Sequence, residues 1–253
     1  MKKIVSLVVA ALVMCSCADS FLSEEPVGEF MPEQVESEEN IEGIVIGAYA
    51  VLDGYYASDA INSRCSNWQF GDVVSDDAYK GGGGTGDQNQ IHLMEIFNAN
   101  PTGIDFEARW AALYEGVKRC NQAIRLLSNS TVKNKEQRLA EMRFLRGHYY
   151  FNLKVIYNLI PWIDETVVDP NEYHTKSNME FTSDQLWEKI LGEFSAAYQV
   201  LPESQSDYGR PTKMAAKAYM AKVYLYQSKW KECLSACAVS YTHLRAHETG
   251  AYL

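Results

Sequence analysis

The stretch RCSNWQFGDVVSDDAY, residues 64–79, gathers the side chains of this chain best suited to holding a small molecule. Trp68 supplies a flat apolar face. Arg64, Asn67, Gln69, Asp76 and Asp77 supply hydrogen-bonding groups around it, and Tyr79 adds a second ring with a hydroxyl. That mixture suits a neutral sugar, whose apolar face rests on an aromatic ring while amides and carboxylates bond its hydroxyls. These seven residues are the candidate ligand contacts. The competing reading is that Trp68 and Phe70 pin the loop to a scaffold and meet no ligand.

Other chemistries fit less well. Asp76 and Asp77 are adjacent acids, which says nothing about two carboxyls facing each other across a cleft, so a glycoside hydrolase stands last among the readings. GGGGTGD, 81–87, lacks the Lys-Ser/Thr that a phosphate loop requires. Asp72, Asp76, Asp77 and Asp87 carry the oxygen ligands that calcium takes, but not at EF-hand spacing. A solvated loop is the better reading there, and no cofactor is expected. His243 and His247 are spaced like two ligands on one helix face, yet they fall in a tail that breaks the pattern of the rest and are not taken as a site. His148, inside a tyrosine-bearing helix, reads as a satisfied core residue.

The balance of charge narrows the ligand further. A net charge of -10 argues against nucleic acid or an anionic membrane surface as partner and leaves an uncharged ligand as the expectation. At 47% hydrophobic and 22% charged, the chain can bury a proper core. The N-terminus has a different job. MKK is followed by an apolar run from Ile4 to Met14, the layout of a secretory signal and too short to span a bilayer. Ser16 immediately before Cys17 resembles a bacterial lipobox, whereas Cys15 follows bulky Met14 and fits worse. Cys17 is therefore the expected lipidated residue, with acyl chains that hold the protein to a membrane. Ala18 after it favours the outer membrane by the general bacterial sorting pattern. The remaining cysteines, Cys65, Cys120, Cys233 and Cys237, form no zinc-type spacing and are expected as buried thiols. Cys233 and Cys237 would be neighbours on a helix with poor geometry for a bridge.

The elements that must position the candidate loop are helical. After the signal peptide (1–16), residues 17–35 read as a flexible tether. Ile41, Ile44, Val45, Ala48 and Leu52 recur at spacings of three and four and predict a first helix. Residues 58–104 carry no helical period of useful length and read as a long irregular region, the kind of segment that is functional or disordered. Helices follow from Asp105 to Ser128 and then to about Asn158, the second opened by a capping box of Asn134 with Gln137. A third is capped by Thr182 with Gln185 and ends at Pro202. Pro211 is placed as the first-turn proline of a fourth, and a turn at Ser228 leads to another helix near Trp230. Trp110, Trp187 and Trp230 lie on apolar helical faces and are expected in the core. With no convincing strand pair, the fold class is all-α. Ala215, Ala216, Ala218 and Ala221 among Tyr219, Tyr224 and Tyr226 give the close helix approach of tetratricopeptide-like hairpins, although no strict repeat is visible.

Five segments in this order carry a family likeness: CADSFLSEEP, ENIEGIVIGAYAVL, ARWAALYEGVKRCNQAI, EQRLAEMRFLRGHYYFNLKVIYNLIPWIDE and GRPTKMAAKAYMAKVYLYQSKWKEC. Together they resemble the SusD/RagB family of outer-membrane lipoproteins over nearly all of residues 17–237. The most specific feature is RFLR followed by YYF. The resemblance implies an all-helical, SusD-like scaffold of stacked hairpins. It also implies a surface-exposed, lipid-anchored protein that binds an oligosaccharide, polysaccharide or other nutrient. Such a protein breaks no bond and serves a SusC-type TonB-dependent transporter, with ligand contacts in loops of the region that includes 64–79. The alternative is a helical-repeat scaffold lipoprotein that binds no small ligand. Family members are longer, so 36–237 is expected to be an N-terminal helical domain. The last residues, 238–253, are expected to be a non-native tail, since VSYTHLRAHETGAYL abandons the preceding pattern and resembles translated sequencing-adapter sequence.

Overall fold

The computed structural model describes residues 38–53, 67–75 and 77–250, apart from the side chains of 170 and 241–250. Cys17, the tether 17–35, Arg64, Cys65 and Asp76 lie outside these residues. Among the described residues the chain is helical, with no strand. Helix α1 (Glu38–Tyr49) continues into a 310 turn at Ala50–Asp53. A π-helical turn, Trp68–Val73, and a short helix α2 (Asn89–Glu95) follow. The scaffold is α3 (Ile104–Asn129), α4 (Lys135–Tyr157), α5 (Ser183–Val200), α6 (Lys213–Tyr226) and α7 (Trp230–Gly250). Each of these packs on the next in sequence, and α1 lies against α3 and α4. No described helix is long and apolar enough to cross a membrane.

Stacking in sequence order makes α4 the centre. It meets α3 on one side and α5 on the other, so one apolar stripe is not enough. Ala140, Met142, Phe144, Leu145, Tyr149, Tyr150, Phe151 and Leu153 are all buried, and burying each large side chain contributes about 1.5–3 kcal/mol. Two glycines let the helices close up. A Cβ on Gly116 of α3 would stand 2.6 Å from the Tyr149 ring, and one on Gly147 of α4 would stand 2.9 Å from the Phe194 ring. On the α5–α6 side an aromatic cluster fills the seam: Phe144 meets Phe194 and Tyr219 edge-on, and Phe151 meets Tyr226 at 5.1 Å.

Helix ends follow local chemistry with two corrections. Thr182 and Gln185 form the expected reciprocal capping box, Gln185 N–H to Thr182 Oγ1 at 3.3 Å and Thr182 N–H to Gln185 Oε1 at 2.9 Å. The Asn134–Gln137 box does not form. Asn134 sits in the left-handed region (φ 65°) and its side chain caps nothing, while Gln137 reaches Gln205 at 2.8 Å. Separately, Lys135 Nζ donates to the Ser128 carbonyl at 2.8 Å, where the C-terminal end of α3 favours a cation. Pro211 is not in the first turn of α6: Thr212 is the cap, accepting from Ala215 N–H, so the proline precedes the helix.

The remaining differences concern the irregular region and the last helix. Residues 58–104 are less irregular than expected, since α2 and the π turn both lie there. Trp187 is buried, but Trp110 is only half-buried and Trp230 is 63% exposed. α7 rests on α6 through the face of Ala236 and Ser240, and Trp230, Leu234 and Cys237 lie on another face. Cys120 is buried, Cys233 is half-buried and Cys237 is exposed, so burial does not hold for the last pair; both are free thiols. The helical backbone also runs through 238–250, where no proline interrupts it.

The centre carries charge. Arg146 of α4, 2% exposed, donates through Nε and Nη2 to both Glu193 oxygens on α5 (3.1 and 2.8 Å). Its Nη1 donates to Asn121 Oδ1 of α3 at 2.8 Å and to Glu165 of the α4–α5 connection. Burial disfavours the guanidinium, but the two carboxylates outweigh it and raise its pKa. A second cluster centres on Glu141, fully buried, which accepts from Tyr49 OH, Arg138 and Arg210 at 2.7–2.9 Å and so joins α1, α4 and the α5–α6 connection.

Removing one partner of such a cluster leaves the others charged and buried. Arg146→Met is expected to destabilise the fold by about 3–5 kcal/mol in urea unfolding followed by circular dichroism. The double variant Arg146→Met, Glu193→Leu recovers part of that loss; a single variant as stable as the parent contradicts the account.

Candidate functional site

The candidate loop is fastened to the start of α3. Arg109 of α3 is buried and donates from Nη2 to Asn67 Oδ1 at 2.6 Å and to Asn152 Oδ1 of α4 at 3.2 Å. Its guanidinium also lies over the Phe70 ring, 5.5 Å from the centroid, and Phe70 meets Phe106 edge-on at 5.5 Å. Phe70 is thus an anchor, in line with the pinning reading for that residue. Gln69 is buried, so it supports the π turn from inside and presents nothing to a ligand. This corrects its placing among the contacts. Trp68 is half-buried.

A polar relay continues inward. Arg109 can only donate, which fixes Oδ1 of Asn152 toward it and leaves Nδ2 facing His148, 3.3 Å from Nε2. The His148 proton then sits on Nδ1, donated to the Tyr219 hydroxyl at 2.8 Å. Burial, with Arg109 and Lys222 adding to it, lowers the His148 pKa to about 4. The imidazole is neutral, a structural link between α4 and α6, as expected of a core histidine.

The outward part of the loop is organised around glycine. Gly81, Gly82 and Gly84 have positive φ, and Lys80 Nζ donates to the Gly81 and Gly84 carbonyls at 3.0 Å each. Gly83 N–H donates to Asp87 Oδ2 at 3.0 Å, and a Cβ on Gly82 would meet that oxygen at 2.3 Å. Asp87 is therefore engaged within the turn. Asp77 accepts from Ser75 Oγ at 3.2 Å on the exposed side. Lys80 N–H donates to Glu95 Oε1 at 3.1 Å, and the other Glu95 oxygen is 3.3 Å from His92 Nδ1. This ties the backbone just after Tyr79 to the end of α2. Tyr79 is 80% exposed and Phe97, just past α2 and in the left-handed region, is 76% exposed.

Of the seven candidates, Asn67, Asp77 and Tyr79 are exposed, Trp68 is half-buried, Gln69 is buried, and Arg64 and Asp76 lie outside the described residues. Sequence reasoning missed Arg109 and Phe97. A lone cation beside Trp110 on an otherwise apolar stripe was the available signal for Arg109. Phe97 had none, because its exposure follows from where the chain turns just past α2 in the left-handed region.

The described residues form a scaffold of stacked helical hairpins that carries a hydrogen-bonded loop with exposed rings. Comparison with known proteins places this fold. The profile of the SusD-like family, described as starch-binding and associating with the outer membrane, matches residues 20–225, and the chain belongs to that family. It is 25% identical over 239 residues to SusD-like protein P2 of Formosa agariphila, covering 90% of this chain and 44% of that protein. Among solved structures it is similar to a laminarin-binding SusD-like protein (TM-score 0.68, 26% identity, 79% of this chain and 42% of that one). It is also similar to surface glycan-binding protein A of Bacteroides thetaiotaomicron in complex with laminarihexaose (TM-score 0.64, 27% identity, 83% of this chain and 42% of that one). The chain spans less than half the length of these relatives.

The lowered His148 pKa sets a pH dependence of the relay. The unfolded chain takes up the proton below about 6.5 while the folded one stays neutral, so this contribution to stability is complete above about pH 6.5. It is lost as the pH falls toward 4, by up to about 3 kcal/mol. His148→Gln is expected to flatten stability between those values in urea midpoints measured across pH; an unchanged slope contradicts the relay.

Proposed function

We propose that this chain is a lipid-anchored, cell-surface protein of the outer membrane that captures an uncharged oligosaccharide or polysaccharide and passes it to a SusC-type TonB-dependent transporter. It carries no catalytic step. The observation that carries the reading is the exposed ring of Tyr79 on a loop that hydrogen bonds hold in place. A ring already ordered costs little entropy when a sugar stacks on it. Membership of a starch-binding, outer-membrane-associating family supports the ligand class and the location, and the net charge of -10 favours a neutral ligand. Cys17 after Ser16 supports lipid attachment, and several acyl chains together make membrane binding stable.

One observation favours the second reading, a scaffold lipoprotein without a small ligand. Asn67, Gln69 and Phe70 are spent on fastening the loop, which leaves Tyr79 with Trp68, Asp77 and the neighbouring Phe97 to meet a sugar.

Tyr79→Ala is expected to weaken laminarihexaose binding about tenfold or more by isothermal titration, because an aromatic platform is worth roughly 1–3 kcal/mol when truncated. Affinity equal to that of the parent turns the reading toward the scaffold. Cys17→Ala is expected to move the protein from the membrane fraction to the soluble fraction; retention in the membrane argues against acylation at that residue.

A further inference from the structure

A groove of about 360 Å³ runs along the outer side of α3, between that helix and the α4–α5 connection. Its volume falls in the range of small-ligand sites, ~300–1,000 Å³. It is separate from the candidate loop. Arg109 faces the loop, and Trp110, the next residue and about 100° further round the helix, faces the groove.

The floor is aromatic. Trp110 and Tyr114 lie one turn apart with ring centroids 4.8 Å apart, and Tyr157 braces Trp110 edge-on at 4.9 Å. The polar atoms near the floor are engaged internally: Tyr114 OH donates to the Pro161 carbonyl at 2.7 Å, and Asn121 Nδ2 donates to the Ile163 carbonyl at 2.9 Å. These two bonds hold the connection open at a fixed distance from α3, so the groove is preformed. The rim is different. Glu115 and Lys118 of α3 and Tyr173 of the 310 turn Pro170–Thr175 bring an acceptor, a donor and a hydroxyl to its edge. Glu115 is also paired with Arg119 Nε at 2.8 Å, so part of its carboxylate is engaged along α3.

We infer that this groove is a second saccharide-binding site, built on the scaffold helix itself and distinct from the loop. A flat ring with one apolar face fits the Trp110–Tyr114 floor, which offers dispersion contacts and little further hydrogen bonding. Hydroxyls at the edge of the same ring meet Glu115, Lys118 and Tyr173. A purely apolar ligand leaves the Lys118 ammonium and the Tyr173 hydroxyl desolvated without partners. A pyranose, with one apolar face and hydroxyls at its edge, satisfies both parts. Two separated sites on one chain raise the retention of a long polysaccharide, because binding at one site makes binding at the other intramolecular. The inference rests on the glycan-binding reading of the protein and adds a site to it.

The test is a titration of the full chain in detergent with laminarihexaose, maltohexaose and cellohexaose, followed by calorimetry and by tryptophan emission. The variants are Tyr173→Ala, which alters a turn outside the helices, Trp110→Phe, which keeps an aromatic floor, and Tyr79→Ala. Two hexasaccharides per chain are expected, one weakened about tenfold by Tyr173→Ala and the other by Tyr79→Ala, with the emission change reduced in Trp110→Phe. Loss of binding in Tyr173→Ala and not in Tyr79→Ala supports the groove and overturns the loop. If Tyr173→Ala and Trp110→Phe titrate like the parent while Tyr79→Ala loses binding, the groove is overturned and the glycan reading stands. Absence of binding by the parent to all three sugars overturns both.

Discussion

Arg146 carries a full charge into the middle of the scaffold, and a charge there is tolerated only where every donor finds an acceptor. Glu193 takes two of its bonds, Asn121 and Glu165 take the others. These partners come from α5, α3 and the α4–α5 connection, so one side chain fixes the relative placement of three helices and a loop. Net stabilisation is not the point, since apolar residues of the same volume could do as well. The constraint is geometric: a slip of α5 along α4 would break a bidentate pair and strand buried carboxylates.

The rest of the molecule is arranged around that fixed centre. Gly116 and Gly147 bring α3 and α5 close enough to α4 for the pairs to form, and Tyr149, against Gly116, reaches the Ala48 carbonyl at 2.6 Å and so fastens the end of α1. Glu141 repeats the logic one and a half turns away with Arg138, Arg210 and Tyr49. At the start of α3 the Arg109 guanidinium ties the loop through Asn67 and Phe70 and the core through Asn152, here through amide oxygens and a ring. The exposed ring of Tyr79 is fastened through the next residue, Lys80, to Glu95 of α2, and the groove beside Trp110 lies between α3 and the connection that Tyr114 and Asn121 bond and that Glu165 anchors to Arg146.

Periodicity made the helices legible. Leu113, Val117, Cys120, Ile124 and Leu127, at spacings of three and four, are all buried, and Thr182 with Gln185 marked the start of α5 because a capping box is a bond between residues three apart. The same local rule failed at Asn134, whose backbone is left-handed and whose side chain makes no cap bond, while Lys135 reaches back to a carbonyl at the end of α3. Trp230 lay on a helical stripe, but nothing in the stripe says which face its neighbour will cover. Trp68 and Tyr79 were readable as ring-bearing loop residues. That Gln69 between them turns inward was not, because the π turn that inverts it depends on Phe70 meeting Phe106, 36 residues on.

What the sequence determined by itself was the scaffold helices, the likeness carried by RFLR and YYF, the candidate lipidated Cys17 and a net charge of -10, since each rests on neighbours along the chain or on composition alone. Tertiary structure decided which polar groups are buried and with whom. Arg146 and Glu193 are 47 residues apart and Arg109 and Asn67 are 42 apart. Only the closing of the stack brings such pairs within bonding distance, and only then is a loop residue either an anchor or a surface for a ligand.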